Sequence, residues 1–287
     1  MLNKFNFCCC FLLQLFFAHS VFATTQHFVD TSDRDMILEH YNEFTKNTPD
    51  FEREERIINE IEDSVMDGDV EYLSLADDEE VFSIYTESEL DDTKGGVIVI
   101  HSRGHHANWS SVIKPVRVEL TERGWSTLSV QMPVLDKNAK YYDYVPIFPY
   151  AHQRISAAID FFKEQDINNI VIVAHGCGAH MSMSYIDKYG NSDISAYVGI
   201  GMGATDYKQK IIRQFPLAKM DMPILDIFGE KDYPGVVRLA KQRKPLLNKG
   251  NNRNLQLLVE NADHYYQERD TVKLLVEKIG NWLDNIN

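Results

Sequence analysis

Asp232 and His264 are the side chains of this sequence best placed to handle a proton. Asp232 follows the apolar run Ile224–Phe228 in FGEKDYP, and His264 follows Leu255–Val259 in ENADHYY. In a mainly parallel sheet both stand at the carboxyl ends of strands, where side chains converge on a crevice. There a carboxylate can orient an imidazole and stabilise its protonated form while the imidazole moves a proton. Upstream, Ala174-His175-Gly176-Cys177-Gly178 joins the β-branched run Ile170–Val173 to a helical segment. Small–x–nucleophile–x–small is the pattern of a strained strand-to-helix turn, and the chain order nucleophile, acid, histidine belongs with it. Ala174 and Gly178 take the small positions. Gly176 takes the nucleophile position, and glycine has no side chain to attack with. In the alternative register Cys177 is the nucleophile, but His175 then occupies a crowded position that favours a small residue.

The loop Ser102, Arg103, Gly104, His105, His106 follows the apolar run Val97–His101. A loop at that place supplies one backbone N–H to an oxyanion hole, and the residue after the nucleophile position, Cys177, supplies the other. Such a pocket persists without a nucleophile. A thiolate at Cys177 would need a lowered pKa, from a helix N-terminus and a nearby histidine. The plainer reading of Cys177 is a small apolar residue packing the turn. His101, His105, His106, His175, His180 and His264 gather near the presumed crevice, yet no HExxH or CxxC spacing accompanies them. No metal and no cofactor is expected, and histidines beside such a turn commonly make hydrogen bonds.

These residues need a scaffold that alternates strand and helix. Strands are predicted over Val97–His101, Ser126–Gln131, Ile170–Ala174, Ala196–Met202, Ile224–Phe228 and Leu255–Val259. Helices are predicted over Trp109–Arg123, Tyr150–Lys163, Gly178–Lys188, Asp206–Gln214, Gly235–Arg243 and Thr271–Asn285. This is the pattern of an α/β fold, a mainly parallel, doubly wound sheet with helices on both faces. Before it lie a helix capped at Ser32, a second helix over Glu52–Met66, and alternating strands Val70–Ala76 and Val81–Glu87, which suit a leading antiparallel pair. The longest non-periodic connection, Pro133–Pro149, carries Tyr141, Tyr142, Tyr144 and Phe148. It is a candidate lid or aromatic wall, or a surface loop whose aromatics cap the core.

Residues 1–23 read as a secretory signal peptide: Lys4, the apolar run Phe7–Ala18, and Val21-Phe22-Ala23 as a cleavage site. Removal leaves one of the four cysteines, Cys177, so no internal disulfide is expected. The 287-residue chain has a net charge of −14, and loss of Lys4 makes it more negative. With no basic stripe, nucleic acid is excluded as a partner. The expected organisation is the leader (1–23), an acidic N-terminal extension (24–94), and the α/β domain (95–287), periplasmic or secreted and not membrane-spanning after cleavage.

GGVIVIHSRGHHANWSSVIKPVRVELTERGWSTLSVQ, with VAHGCGAH, PILDIFGEKDYPGV and ADHYY, resembles a bacterial family of exported proteins of unknown function within the α/β-hydrolase superfamily. The resemblance covers most of Gly95–Asn287 and is specific in the HANW block and the DYP turn. It implies the α/β-hydrolase fold, and an elbow that commonly reads H-G-x-G. The function expected from sequence is a degenerate hydrolase that binds a small-molecule, envelope-derived or protein partner in the crevice. The alternative is an atypical acyl or ester hydrolase that uses Asp232 and His264 with an activated water or with Cys177.

Overall fold

The computed structural model describes residues 48–75 and 79–286. The leader and the helix expected at Ser32 lie outside them. The strands are β1 (Asp69–Ser74), β2 (Glu80–Thr86), β3 (Gly95–Ile100), β4 (Trp125–Val130), β5 (Ile170–His175), β6 (Ala196–Ile200), β7 (Ile224–Gly229) and β8 (Leu255–Val259). They form one sheet in the order β1-β2-β4-β3-β5-β6-β7-β8. β1 pairs antiparallel with β2, and β2 antiparallel with β4. Every later pairing is parallel.

The helices are α1 (Phe51–Ile61), α2 (Ile113–Glu119), α3 (Tyr141–Tyr144), α4 (Phe148–Glu164), α5 (Cys177–Tyr189), α6 (Pro234–Leu247) and α7 (Arg269–Ile286). Side chains of a strand alternate between its two faces, and here both faces are apolar. Ile98, Ile100, Ile172 and Ala174 pack with α3, α4 and α5. Val97, Val99, Val171 and Val173 pack with α2 and α7. Burial on both faces is why β3 and β5 read as unbroken apolar runs.

One expectation from sequence is corrected, and a second takes the plainer of its two forms. Asp206–Gln214 is not a helix. Lys208 adopts φ 63, off the helical path, and the Asp206 carboxylate accepts from Arg103 Nη1 (2.6 Å), Arg103 Nη2 (2.9 Å) and Tyr141 N (2.7 Å). Tertiary partners override local propensity there. The candidate lid is a packed element. Tyr141, Tyr144 and Phe148 are buried in the core, with Tyr142 packed against it. The hydroxyls of Tyr141, Tyr142 and Tyr144 accept from the backbone N–H groups of Ile212 (3.3 Å), Lys210 (2.9 Å) and Leu135 (3.1 Å). The segment caps the core.

Asp226, fully buried in β7, receives both Nε and Nη2 of Arg243 on α6, at 2.8 and 2.9 Å. Gln256 of β8 adds a third donor at 2.8 Å. Asp226→Ala leaves a guanidinium buried without its counter-charge, and the expected loss is about 3–5 kcal/mol. Urea denaturation read by circular dichroism measures it; a midpoint equal to wild type would contradict the expectation.

Candidate active site

At the end of β5 the chain turns through Gly176 into α5. Gly176 has φ 53 and ψ −114, a conformation glycine adopts freely and other residues do not. Two residues on, a Cβ at Gly178 would stand 2.5 Å from the His101 carbonyl oxygen, so strand and helix approach at glycine distance. The turn is therefore centred on Gly176, with Cys177 as the first residue of α5.

The loops after β7 and β8 bring Asp232 and His264 together. Nδ1–H of His264 donates to Asp232 Oδ1 at 2.8 Å, and both residues are buried, 5% and 4% exposed. An acceptor on Nδ1 fixes the tautomer and leaves Nε2 free to take a proton. Nε2 lies 3.1 Å from the point where a Cβ on Gly176 would stand. The imidazole therefore faces the place of the missing nucleophile. Tyr233 stacks on it at 4.6 Å between ring centroids, and Tyr233 donates its hydroxyl to that of Tyr265 at 2.8 Å. Both tyrosines are partly exposed, so they form an aromatic rim beside the imidazole.

Ser102, from the loop after β3, occupies the emptied space. Its Oγ lies 2.5 Å from the Cβ position of Gly176 and accepts from Cys177 N at 3.1 Å. The rest of that loop is divided in its roles. Arg103 is clamped on Asp206 and also donates to the Ala139 carbonyl at 3.2 Å. Gly104 is exposed, with no atom within 4 Å of where its Cβ would stand. His105 stacks face to face on Trp109, 3.9 Å between centroids, and burial pushes its pKa down to about 2. His106 Nδ1 accepts from Asn108 N at 3.2 Å, and burial lowers its pKa to about 4.

The remaining histidines serve as pegs. His101 donates from Nδ1 to the Ser102 carbonyl (2.8 Å) and accepts at Nε2 from Met132 N (2.8 Å). His175 Nε2 donates to the His264 carbonyl at 2.9 Å. Burial drives both pKa values down to about 3, which keeps the rings neutral. One histidine thus fixes the backbone of Ser102 and another that of His264. His180 Nε2 donates to the Ala204 carbonyl at 3.2 Å. Among the described residues no group of three or more His, Cys, Asp or Glu is arranged to hold a metal ion.

The thiol of Cys177 is buried in the core, and burial pushes its pKa up to about 12. At neutral pH such a thiol stays protonated, and the group that Cys177 turns toward Ser102 is its backbone N–H. Sequence reasoning missed the tyrosine rim, although Tyr233 and Tyr265 each directly follow a member of the dyad. It also placed Ser102 in the loop without seeing where its hydroxyl goes.

Solved structures share this architecture. The chain is similar to Est1E from Butyrivibrio proteoclasticus, with a TM-score of 0.57 and 14% identity over 75% of this chain and 98% of that one. It is similar to a dienelactone hydrolase from Anabaena variabilis, with a TM-score of 0.57 and 14% identity over 76% and 97%. It is also similar to an α/β serine hydrolase without a lid from Xanthomonas campestris, with a TM-score of 0.55 and 12% identity over 77% and 95%. At such identities the likeness shows the fold, which is the α/β-hydrolase fold. No curated protein matches the chain in sequence. A family described as protein of unknown function (DUF3530) matches residues 7–144 and 150–282. The chain belongs to the DUF3530 family, an uncharacterised family on the α/β-hydrolase fold.

Proposed function

We propose that the protein is an exported hydrolase of acyl or ester bonds whose acid–base machinery is the Asp232–His264 pair. One observation carries the reading: the 2.8 Å Asp232–His264 hydrogen bond, with Nε2 directed at the nucleophile slot of a turn that lacks a side chain. A site kept only for binding has no need of an imidazole held in one tautomer by a buried carboxylate. General base catalysis needs that arrangement. The Tyr233–Tyr265 rim suits the apolar part of a small ester. The leader-like residues 1–23 support export to the periplasm or medium.

The test is hydrolysis of short p-nitrophenyl esters by wild type, His264→Ala and Asp232→Asn. Each substitution is expected to lower kcat/KM by about 10²–10⁴-fold, the usual worth of a positioned proton carrier, with the folded state intact by circular dichroism. If His264→Ala turns the esters over as fast as wild type, or if wild type turns over none, the hydrolase reading fails and a binding role takes its place.

A further inference from the structure

We propose that Ser102 is the nucleophile of this site, moved from the elbow to the loop after β3. The proposal rests on the hydrolase reading above and adds a covalent step to it. Its ground is the coincidence of three groups. Ser102 Oγ lies 2.5 Å from the point a Gly176 Cβ would take, and His264 Nε2 lies 3.1 Å from that same point. The Cys177 N–H at the start of α5 donates to Ser102 Oγ at 3.1 Å. The hydroxyl and the imidazole thus flank one small space and stand no farther apart than one bridging water spans. Hydrogen-bond donation to Oγ, reinforced by the positive end of the 13-residue helix α5, stabilises developing alkoxide character. The His101 peg on the Ser102 carbonyl and the His175 peg on the His264 carbonyl hold both partners in place.

The chemistry balances within these groups. Ser102 Oγ gives its proton to His264 Nε2 as it bonds to the substrate carbonyl carbon, and the carbonyl π pair moves onto oxygen. The tetrahedral adduct collapses and the bond to the alcohol oxygen breaks. That oxygen takes the proton from Nε2, leaving acyl-Ser102. A water then gives a proton to Nε2 and attacks the acyl carbon. The bond between the acyl carbon and Ser102 Oγ breaks, Oγ recovers the proton from Nε2, and the acid is released.

A serine that only caps α5 would accept the Cys177 N–H and react with nothing, so the decisive readout is covalent. The purified chain is incubated with a fluorophosphonate probe, and the adduct is located by intact mass and peptide mapping. One phosphonyl group is expected on the tryptic peptide Gly95–Arg103, at Ser102. Labelling is expected to be absent in Ser102→Ala and slowed at least about 100-fold in His264→Ala. Ser102→Cys keeps a side chain over α5 and guards against a folding defect: there iodoacetamide is expected to replace the phosphonate as the reactive probe. Should folded Ser102→Ala retain hydrolysis that depends on His264 while wild type takes no probe at Ser102, the serine proposal falls and the dyad works through water. Should wild type neither hydrolyse nor label, the hydrolase reading falls with it.

Discussion

Gly176→Ser alone is expected to give no gain in ester hydrolysis, whereas Ser102→Gly combined with Gly176→Ser restores what Ser102→Gly loses. A Cβ at position 176 meets Ser102 Oγ at 2.5 Å, well inside contact distance. The single variant therefore sets two side chains in competition for one space. It also places a non-glycine residue at φ 53 and ψ −114, at a cost of about 1–3 kcal/mol. For a chain of this size that lowers Tm by roughly 2–4 °C per kcal/mol. Emptying position 102 removes the clash with Oγ, and the new serine Cβ then stands 3.1 Å from His264 Nε2, a tight contact that a small shift of the imidazole relieves as the new Oγ comes within its reach. Ser102→Gly alone should cost on the order of 10⁴–10⁶ in kcat, the scale set by removing a nucleophile from a working triad. The pair should regain most of it, with the phosphonate adduct now mapping to position 176. Kinetics on p-nitrophenyl acetate with peptide mapping decides the matter. Higher activity in Gly176→Ser with Ser102 intact would show that the two positions do not share one slot.

The second large effect is on stability in acid. Burial lowers the pKa of His101, His175 and His180 to about 3 each, and that of His106 and His152 to about 4. In the unfolded chain these rings titrate at the ordinary value of about 6.5. Between about pH 4 and 6.5 the unfolded state therefore binds more protons, and stability must fall as pH falls through that window. Above it these rings are neutral in both states and contribute no slope. Counting only His101, His175 and His180, the slope near pH 5 is about 4 kcal/mol per pH unit. Glu54, whose carboxyl is raised by burial against the pull of Arg154, acts in the opposite sense and offsets part of this. Urea midpoints at pH 7.5, 6 and 5 should be high, lower and much lower; equal midpoints at 7.5 and 5 would sink the idea. In that window the folded rings stay neutral and the pegs hold, so hydrolysis should be lost only as the chain unfolds.

The sheet was legible because its strands are extreme cases. Val97–Ile100 and Ile170–Ala174 are buried on both faces, so their run of β-branched residues has one good reading. The dyad was legible for a related reason: Asp232 and His264 follow strands, and strand ends converge. The helix expected at Asp206–Gln214 failed because the Asp206 carboxylate is engaged by Arg103 and by the Tyr141 N–H, 103 and 65 residues away in sequence. The tyrosines of the 141–144 helix read the same in sequence whether buried or exposed; the hydroxyls of Tyr141 and Tyr142 find their partners at residues 212 and 210. Ser102 was the hardest to read. Its bond to Cys177 N spans 75 positions, and its meaning depends on a methylene that Gly176 does not have.

That missing methylene bears on how such a chain can change over time. In a conventional elbow the attacking residue must sit in a strained backbone conformation, so every mutation nearby trades activity against folding stability. Here the turn carries the same sharp geometry at a glycine, without that strain, and the hydroxyl that fills the slot belongs to a separate loop. The two demands fall on different segments but stay linked through one space: position 176 must remain without a side chain for as long as Ser102 fills the slot beside it.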